Sequence, residues 1–298
     1  METPESLKRR IRTAEELQSL VRTMKALAAV NMRQLENALQ ALDDFHRTIQ
    51  MGLHVVLRRH DRQPWAARTA PRHRSGLIAF GSDQGMCGQL NDQVAAYAHA
   101  WLRHDPSTPE VTRWLAVGFR VAARLEDFGH TVDSVLKAPA SVSGITPVVQ
   151  QLLVELDRWL SEYQIDRVVV FHAELVTRAS YEPRAVELLP LDRVWLDQIR
   201  QVPWPTHLLP AFTLPADQLF SALVRQHLFV SLYRACGQSQ ASENAARLAT
   251  MRGAERNVAD RIVELTHAFH QIRQMAITEE LLDIVSGFEA LAGASPIS

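Results

Sequence analysis

The segment "LKRRIRTAEELQSLVRTMKALAAVNMRQLENALQALDDFHRTIQMGLHVV", residues 7 to 56, has no proline and one glycine, Gly52. Counting by sevens from Leu7 gives Ala14, Val21, Ala28, Leu35, Leu42, Ile49 and Val56, all apolar. A second stripe runs through Ile11, Gln18, Lys25, Met32, Leu39, His46 and Leu53. Leu17, Met24, Ala38 and Phe45 fill in beside it. A sustained seven-residue period predicts a long helix wound on a partner as a left-handed coiled coil.

The partner is found at the other end of the chain. No proline lies between Pro215 and Pro296, and the step of seven returns through Met251, Val258, Leu265 and Ile272. Leu248, Ile262, Phe269 and Met275 lie alongside. Unbroken, this second helix could reach roughly 120 Å, a length that needs support along its side. Joined through one compact insert, the two helices favour an antiparallel pair within the chain. Homodimerisation through each helix is the competing arrangement.

Prolines crowd the middle, and there the pattern becomes α/β. "SGLIAFG" and "TRWLAVG" read as strands, each followed by an amphipathic helix, "LNDQVAAYAHAWL" and "FRVAARLEDFG". "HTVDSVL" reads as a third strand, "DRVVVFHAEL" as a fourth, and "RAVELLPL" as its pairing partner. "TPVVQQLLVELDRWLSEY" is a helix with Thr146 expected as its N-cap. Strands alternating with helices predict a mainly parallel, Rossmann-like sheet. The expected divisions are a helix over 1–62, an α/β foot over 63–205, and a second helix over 206–298. The proline-stiffened "QVPWPTHLLPAFTLP" makes the return between the last two.

Composition narrows the function. A net charge of −1 gives no global field for nucleic acid or an anionic membrane. Two cysteines rule out a disulfide scaffold and a four-cysteine zinc site. No apolar run is long enough to span a bilayer, and the N-terminal residues lack the apolar core of a signal peptide. The turn "GSDQGMCGQLN" sits where phosphate loops sit, yet it matches neither the Gly-Lys-Ser/Thr nor the G-x-G-x-x-G spacing. Asn91 and Asp92 are expected to cap the following helix, and Cys87 to be a small buried hydrophobe. His267 and His270 share a turn without an evident third ligand. No catalytic residue, cofactor site or metal site is assigned.

Polar residues on the second helix point to a protein partner. Glu243 and Arg247 are spaced for an ion pair, and Gln274 and Thr278 share a face one turn apart. Beyond Glu280 the helix is apolar around its circumference.

Three blocks, in order along the chain, resemble the gamma subunit of F-type ATP synthases. They are "LKRRIRTAEELQSLVRTMKALAAVNM", "GSDQGMCGQLN", and the pair "ASENAARLATMRGAERNVADRI" and "RQMAITEELLDIVSGFEAL". Gln84, Met86, Gln89, Val30, Asn31, Arg252 and Glu279 depart from the family's usual residues and mark a divergent, alternate F-type branch.

The resemblance implies a non-catalytic central shaft. The helix pair would turn inside a ring of three alpha and three beta subunits. The foot would rest on the membrane c-ring and hold the epsilon subunit, with no membrane insertion of its own. The complex would lie on the cytoplasmic face of a bacterial inner membrane. Met24, Lys25, Glu243, Arg247, Gln274, Thr278 and Glu280 would touch beta-subunit loops, with Met24 and Lys25 level with the polar set. Leu281, Leu282, Ile284, Val285, Phe288 and Leu291 would form an apolar bearing tip. The alternative is a free-standing α/β ligand-binding module that dimerises through its helices.

Overall fold

The computed structural model describes residues 3–59, 74–104, 111–177, 180–204 and 210–292, with the side chains of 287–292 outside the description. In chain order the elements are α1 (Pro4–Arg59), β1 (Arg74–Phe80), α2 (Leu90–His104), β2 (Val111–Val117) and α3 (Phe119–Asp127). Then follow β3 (Ser134–Leu136), α4 (Ile145–Ser161), β4 (Arg167–Thr177), β5 (Ser180–Leu189), α5 (Arg193–Gln201) and α6 (Ala216–Ala292). Contacts divide the chain into two compact units. One is Ala28–Ala249; the other joins Met1–Leu27 to Thr250–Ser298.

In the first unit, five strands lie in the order β3-β2-β1-β4-β5. β1 is parallel to both β2 and β4, β2 is parallel to β3, and β5 is antiparallel to β4. The period of two along each strand supplies both faces. Leu77, Ala79, Trp114, Ala116, Val169 and Phe171 pack under α2 and α3. Ile78, Phe80, Leu115, Val117, Val168 and Val170 pack against α4 and against Leu35 of α1 and Leu232 and Cys236 of α6. Each such fully buried large side chain contributes about 1.5–3 kcal/mol relative to exposure. The expected mainly parallel sheet with one antiparallel strand is what forms.

The long helices pair in this unit with opposite polarity. Asp43 of α1 meets Arg234 of α6 at 2.5 Å. A Cβ on Gly237 would stand 2.9 Å from Leu39 Cδ2, and one on Gly52 would stand 2.9 Å from Leu223 Cδ2. Both glycines sit inside helices because the facing leucines come too close for a side chain. Of the predicted stripe, Ala28, Leu35, Leu42, Ile49 and Val56 are all buried here. A third apolar cluster joins Leu42, Ile49, Leu53 and Val56 to Leu196 and Ile199 of α5 and to Phe220 and Val230 of α6.

In the second unit the same two helices meet again. Leu7 and Ala14 on α1 and Met251 and Leu265 on α6 are buried, with Val21 half-buried. Leu17 is exposed, and so is Phe45 in the other unit; both lie off the seam. Thr3 and Ser6 open α1 with reciprocal bonds: each backbone N–H donates to the other's hydroxyl, at 3.2 and 3.3 Å.

Four local expectations need correction. Thr146 does not cap α4: the N-cap is Gly144, without a side-chain bond, because a 3-10 turn over Val142–Gly144 runs straight into the helix. Asn91 is no cap either. Its amide is buried, accepting from Ser82 N at 2.9 Å and donating to Ser82 Oγ at 2.9 Å. Asp92 pairs instead with Arg124 at 2.7 Å. The third strand is three residues long, because the Asp133 carboxylate takes the amide of Trp114 at 2.8 Å and stands in for a ladder bond.

Candidate functional site: the exposed end of α6

The turn after β1 lies at the ligand-prone edge of the sheet. Doubly wound sheets place anions at a helix N-terminus beside the carboxyl ends of their strands. Here an internal carboxylate occupies that position. Asp83 accepts from the first amide of α3, Phe119 N, at 3.0 Å, and from Ala138 N at 3.1 Å. Cys87 is buried, with its thiol 3.3 Å from Ser82 Oγ and 3.4 Å from Asn91 Nδ2. The free-standing ligand-binding alternative therefore meets a filled position. Among the described residues no group of three or more His, Cys, Asp or Glu side chains could hold a metal.

The predicted partner residues fall into separate environments. Glu243 and Arg247 pair at 2.5 Å, and each side chain is only 12% exposed. Burial pushes the Glu243 carboxyl above the usual carboxylate range. Arg247 pulls against that shift, and the charge of Asp83 adds to it. These two residues thus direct their charge at each other inside the fold.

Lys25 lies 2.5 Å from Glu255, and Arg22 lies 3.5 Å from the same carboxylate. Lys25 is therefore level with Glu255, which lies between Arg247 and Gln274 of the polar set. Met24 is half-buried beside it.

Gln274, Thr278 and Glu280 are exposed, and Thr278 Oγ1 donates to the carbonyl of Gln274 at 2.9 Å. That bond turns the hydroxyl back onto the helix, leaving the Gln274 amide as the outward polar group. The count that leads back from Lys25 to Pro4, the start of α1, leads forward from Glu255 to Ala276. Ala276 is also the last partly buried residue of α6; every described side chain from Ile277 to Ser286 is exposed. Here lie Leu281 (58%), Leu282 (60%), Ile284 (68%) and Val285 (52%). Phe288 and Leu291 fall outside the described side chains. An exposed helix end carrying Leu281, Leu282, Ile284 and Val285 on more than one face is the kind of surface that partners cover.

A family model described as ATP synthase matches residues 3–291. The chain belongs to the ATP synthase gamma-chain family. The ATP synthase gamma chain of Synechococcus sp. (strain PCC 6716) is 29% identical, over 96% of this chain and 98% of that one. The gamma chain of Syntrophus aciditrophicus is 26% identical, over 96% and 97%. Among solved structures, a chain of the Euglena gracilis mitochondrial ATP synthase OSCP/F1/c-ring assembly aligns with a TM-score of 0.65. It is 15% identical, and the alignment covers 99% of this chain and 96% of that one. A chain of the Euglena rotor aligns at 0.62, with 13% identity and coverage of 92% and 98%. These structural likenesses speak for the fold.

Within the gamma-chain family frame, two features escaped the sequence reading. Arg22 and Glu255 complete the contact around Lys25. Helix α5 was passed over, although Asp192 announces it: its carboxylate accepts from Val194 N at 2.8 Å, an N-cap ahead of the apolar positions Leu196 and Ile199.

Proposed function

We propose that this chain is the central rotor shaft of an F-type ATP synthase or ATPase, a non-catalytic subunit that couples rotation of a membrane ring to the catalytic beta subunits. One observation carries the reading. The chain's opposite ends form a two-helix element, and one helix continues past its partner with polar residues first and exposed Leu281, Leu282, Ile284 and Val285 beyond them. Membership of the gamma-chain family supports it across nearly the whole length.

The mechanism follows from asymmetry. A single chain has no threefold symmetry, so three equivalent subunits around it each meet a different face. A ligand shifts an equilibrium only through differential contact with its states. The shaft acts as such a ligand for each beta subunit in turn, and rotation permutes which one it favours. Gln274, Thr278 and Glu280 are placed to contact beta-subunit loops. Leu281, Leu282, Ile284, Val285, Phe288 and Leu291 serve as the apolar bearing. Glu243 and Arg247 brace the helix from within, and Met24 and Lys25 fix the pairing of α1 with α6 near Glu255. Residues 63–205 form the foot, meeting the c-ring and the epsilon subunit.

No helix among the described residues is long and apolar enough to cross a membrane. The subunit is a peripheral part of a membrane-associated complex, placed on the cytoplasmic face of a bacterial inner membrane. Purification of the tagged chain from native membranes tests the reading. Alpha and beta subunits should accompany it in a three-to-three-to-one ratio; recovery of the chain without them would overturn it.

A further inference from the structure

His46 of α1 and His227 of α6 face each other across the helix pair, ring centroids 5.6 Å apart. The indole of Trp195, from α5, covers His227 at 4.4 Å. His46 Nε2 and His227 Nδ1 are both buried, and neither has a hydrogen-bond partner among the described residues. Two imidazoles packed against each other and against an apolar cluster are tolerated only while uncharged. We propose that the His46–His227 contact is an acid-sensitive latch holding α5 against α1 and α6.

The surroundings support one direction of response. Burial and the neighbouring His46 push His227 down to about 4 from its ordinary 6.5. Burial and the nearby Arg234 also push His46 down, while Asp43 on α1 opposes. Asp43 and Arg234 are paired with each other at 2.5 Å, so the carboxylate is already engaged. α5 meets His227 with an indole and not with a charge. The third histidine of the region, His54, donates from Nδ1 to the carbonyl of Ile199 at 2.7 Å and so ties α1 directly to α5.

The closed arrangement binds fewer protons than the opened one between about 4 and 6.5. Its stability is therefore complete above 6.5 and is lost as pH falls through that window. Protonation sets two like charges side by side in an apolar site, and α5 is the element that can leave. Acid around the protein would thus loosen this junction; the sheet carries a buried histidine of its own, His172 on β4, whose imidazole burial also pushes down, so acid acts on both.

Hydrogen exchange of the full chain at pH 7.5 and pH 5, corrected for intrinsic exchange rates, tests the latch. From the His227 shift, opening of peptides over 193–201 should rise about thirtyfold at the lower pH, with peptides of β1, a strand without histidine, rising less. His227→Phe keeps a ring without a proton and should hold α5 protected at both values. Equal protection of the wild type at both pH values, or an equal loss in H227F, would overturn the proposal. Should H227F fold poorly, imidazole titration by NMR in the wild type decides: His46 and His227 titrating near 6.5 would sink it, and titration well below would sustain it.

Discussion

Lys25 Nζ stands 2.5 Å from a carboxylate oxygen of Glu255, joining residues 230 positions apart in sequence. Lys25 and Arg22 hold the Glu255 carboxyl below the usual range. With a depressed folded value, the contribution is present above the ordinary carboxylate range and is lost as pH falls through it. Glu255→Gln should lower the melting temperature slightly at neutral pH and low salt. The difference from wild type should shrink in 1 M salt and vanish in acid, as thermal melts at two salt concentrations would check.

The buried pair of Glu243 and Arg247 predicts an asymmetric response. Removing the cation alone, as in Arg247→Ala, strands a buried carboxylate and should cost about 3–5 kcal/mol. Replacing both by Leu and Met should cost much less, which denaturant melts of the three proteins can compare. Because the Glu243 carboxyl is raised above its ordinary 4.5, its contribution is complete below that value and declines as pH rises through the folded one. Glu243→Gln should flatten that part of the stability profile.

Gly237 tests the close approach of the long helices. Alanine gains about 1 kcal/mol of helix propensity over glycine, and the obstructing atom is the movable end of Leu39. Gly237→Ala should therefore be near neutral, the two effects offsetting. Gly237→Val brings methyls that Leu39 cannot clear and should cost about 1–3 kcal/mol. Equal denaturation midpoints for valine and glycine would show that the helices are not in contact there.

The exposed end separates stability from coupling. Gln274→Ala with Thr278→Ala removes nothing packed within the chain, so the isolated protein should melt within about 0.5 kcal/mol of wild type. Coupled ATP turnover in the assembled complex should fall. Normal turnover with normal assembly would remove both residues from the contact.

Much of this was readable from the residues because the governing patterns are local and periodic. Leu7 through Val56 report a helix seam at every seventh position, and the unbroken apolar runs of β1 and β4 report a sheet covered on both faces. What escaped was set by contacts between distant segments. Asn91 looks like a cap until Ser82 is brought beside it, and Asp133 ends a strand only because Trp114 lies opposite. Glu243 and Arg247 read as outward-facing charges, since helical spacing alone does not say which way a face points.

Past Ala276, the described side chains of α6 are all exposed, so little packing rewards the segment for being helical. A lone stretch of that length is only marginally helical in water, and most helical stability in proteins comes from packing. These last turns will therefore fray first in the isolated subunit, and their ordering will be completed by whatever encloses them. Affinity for that enclosure and the local melting of the segment are thermodynamically one quantity. A substitution such as Ile284→Gly will weaken assembly by lowering the supply of helical ends, even where the glycine touches nothing.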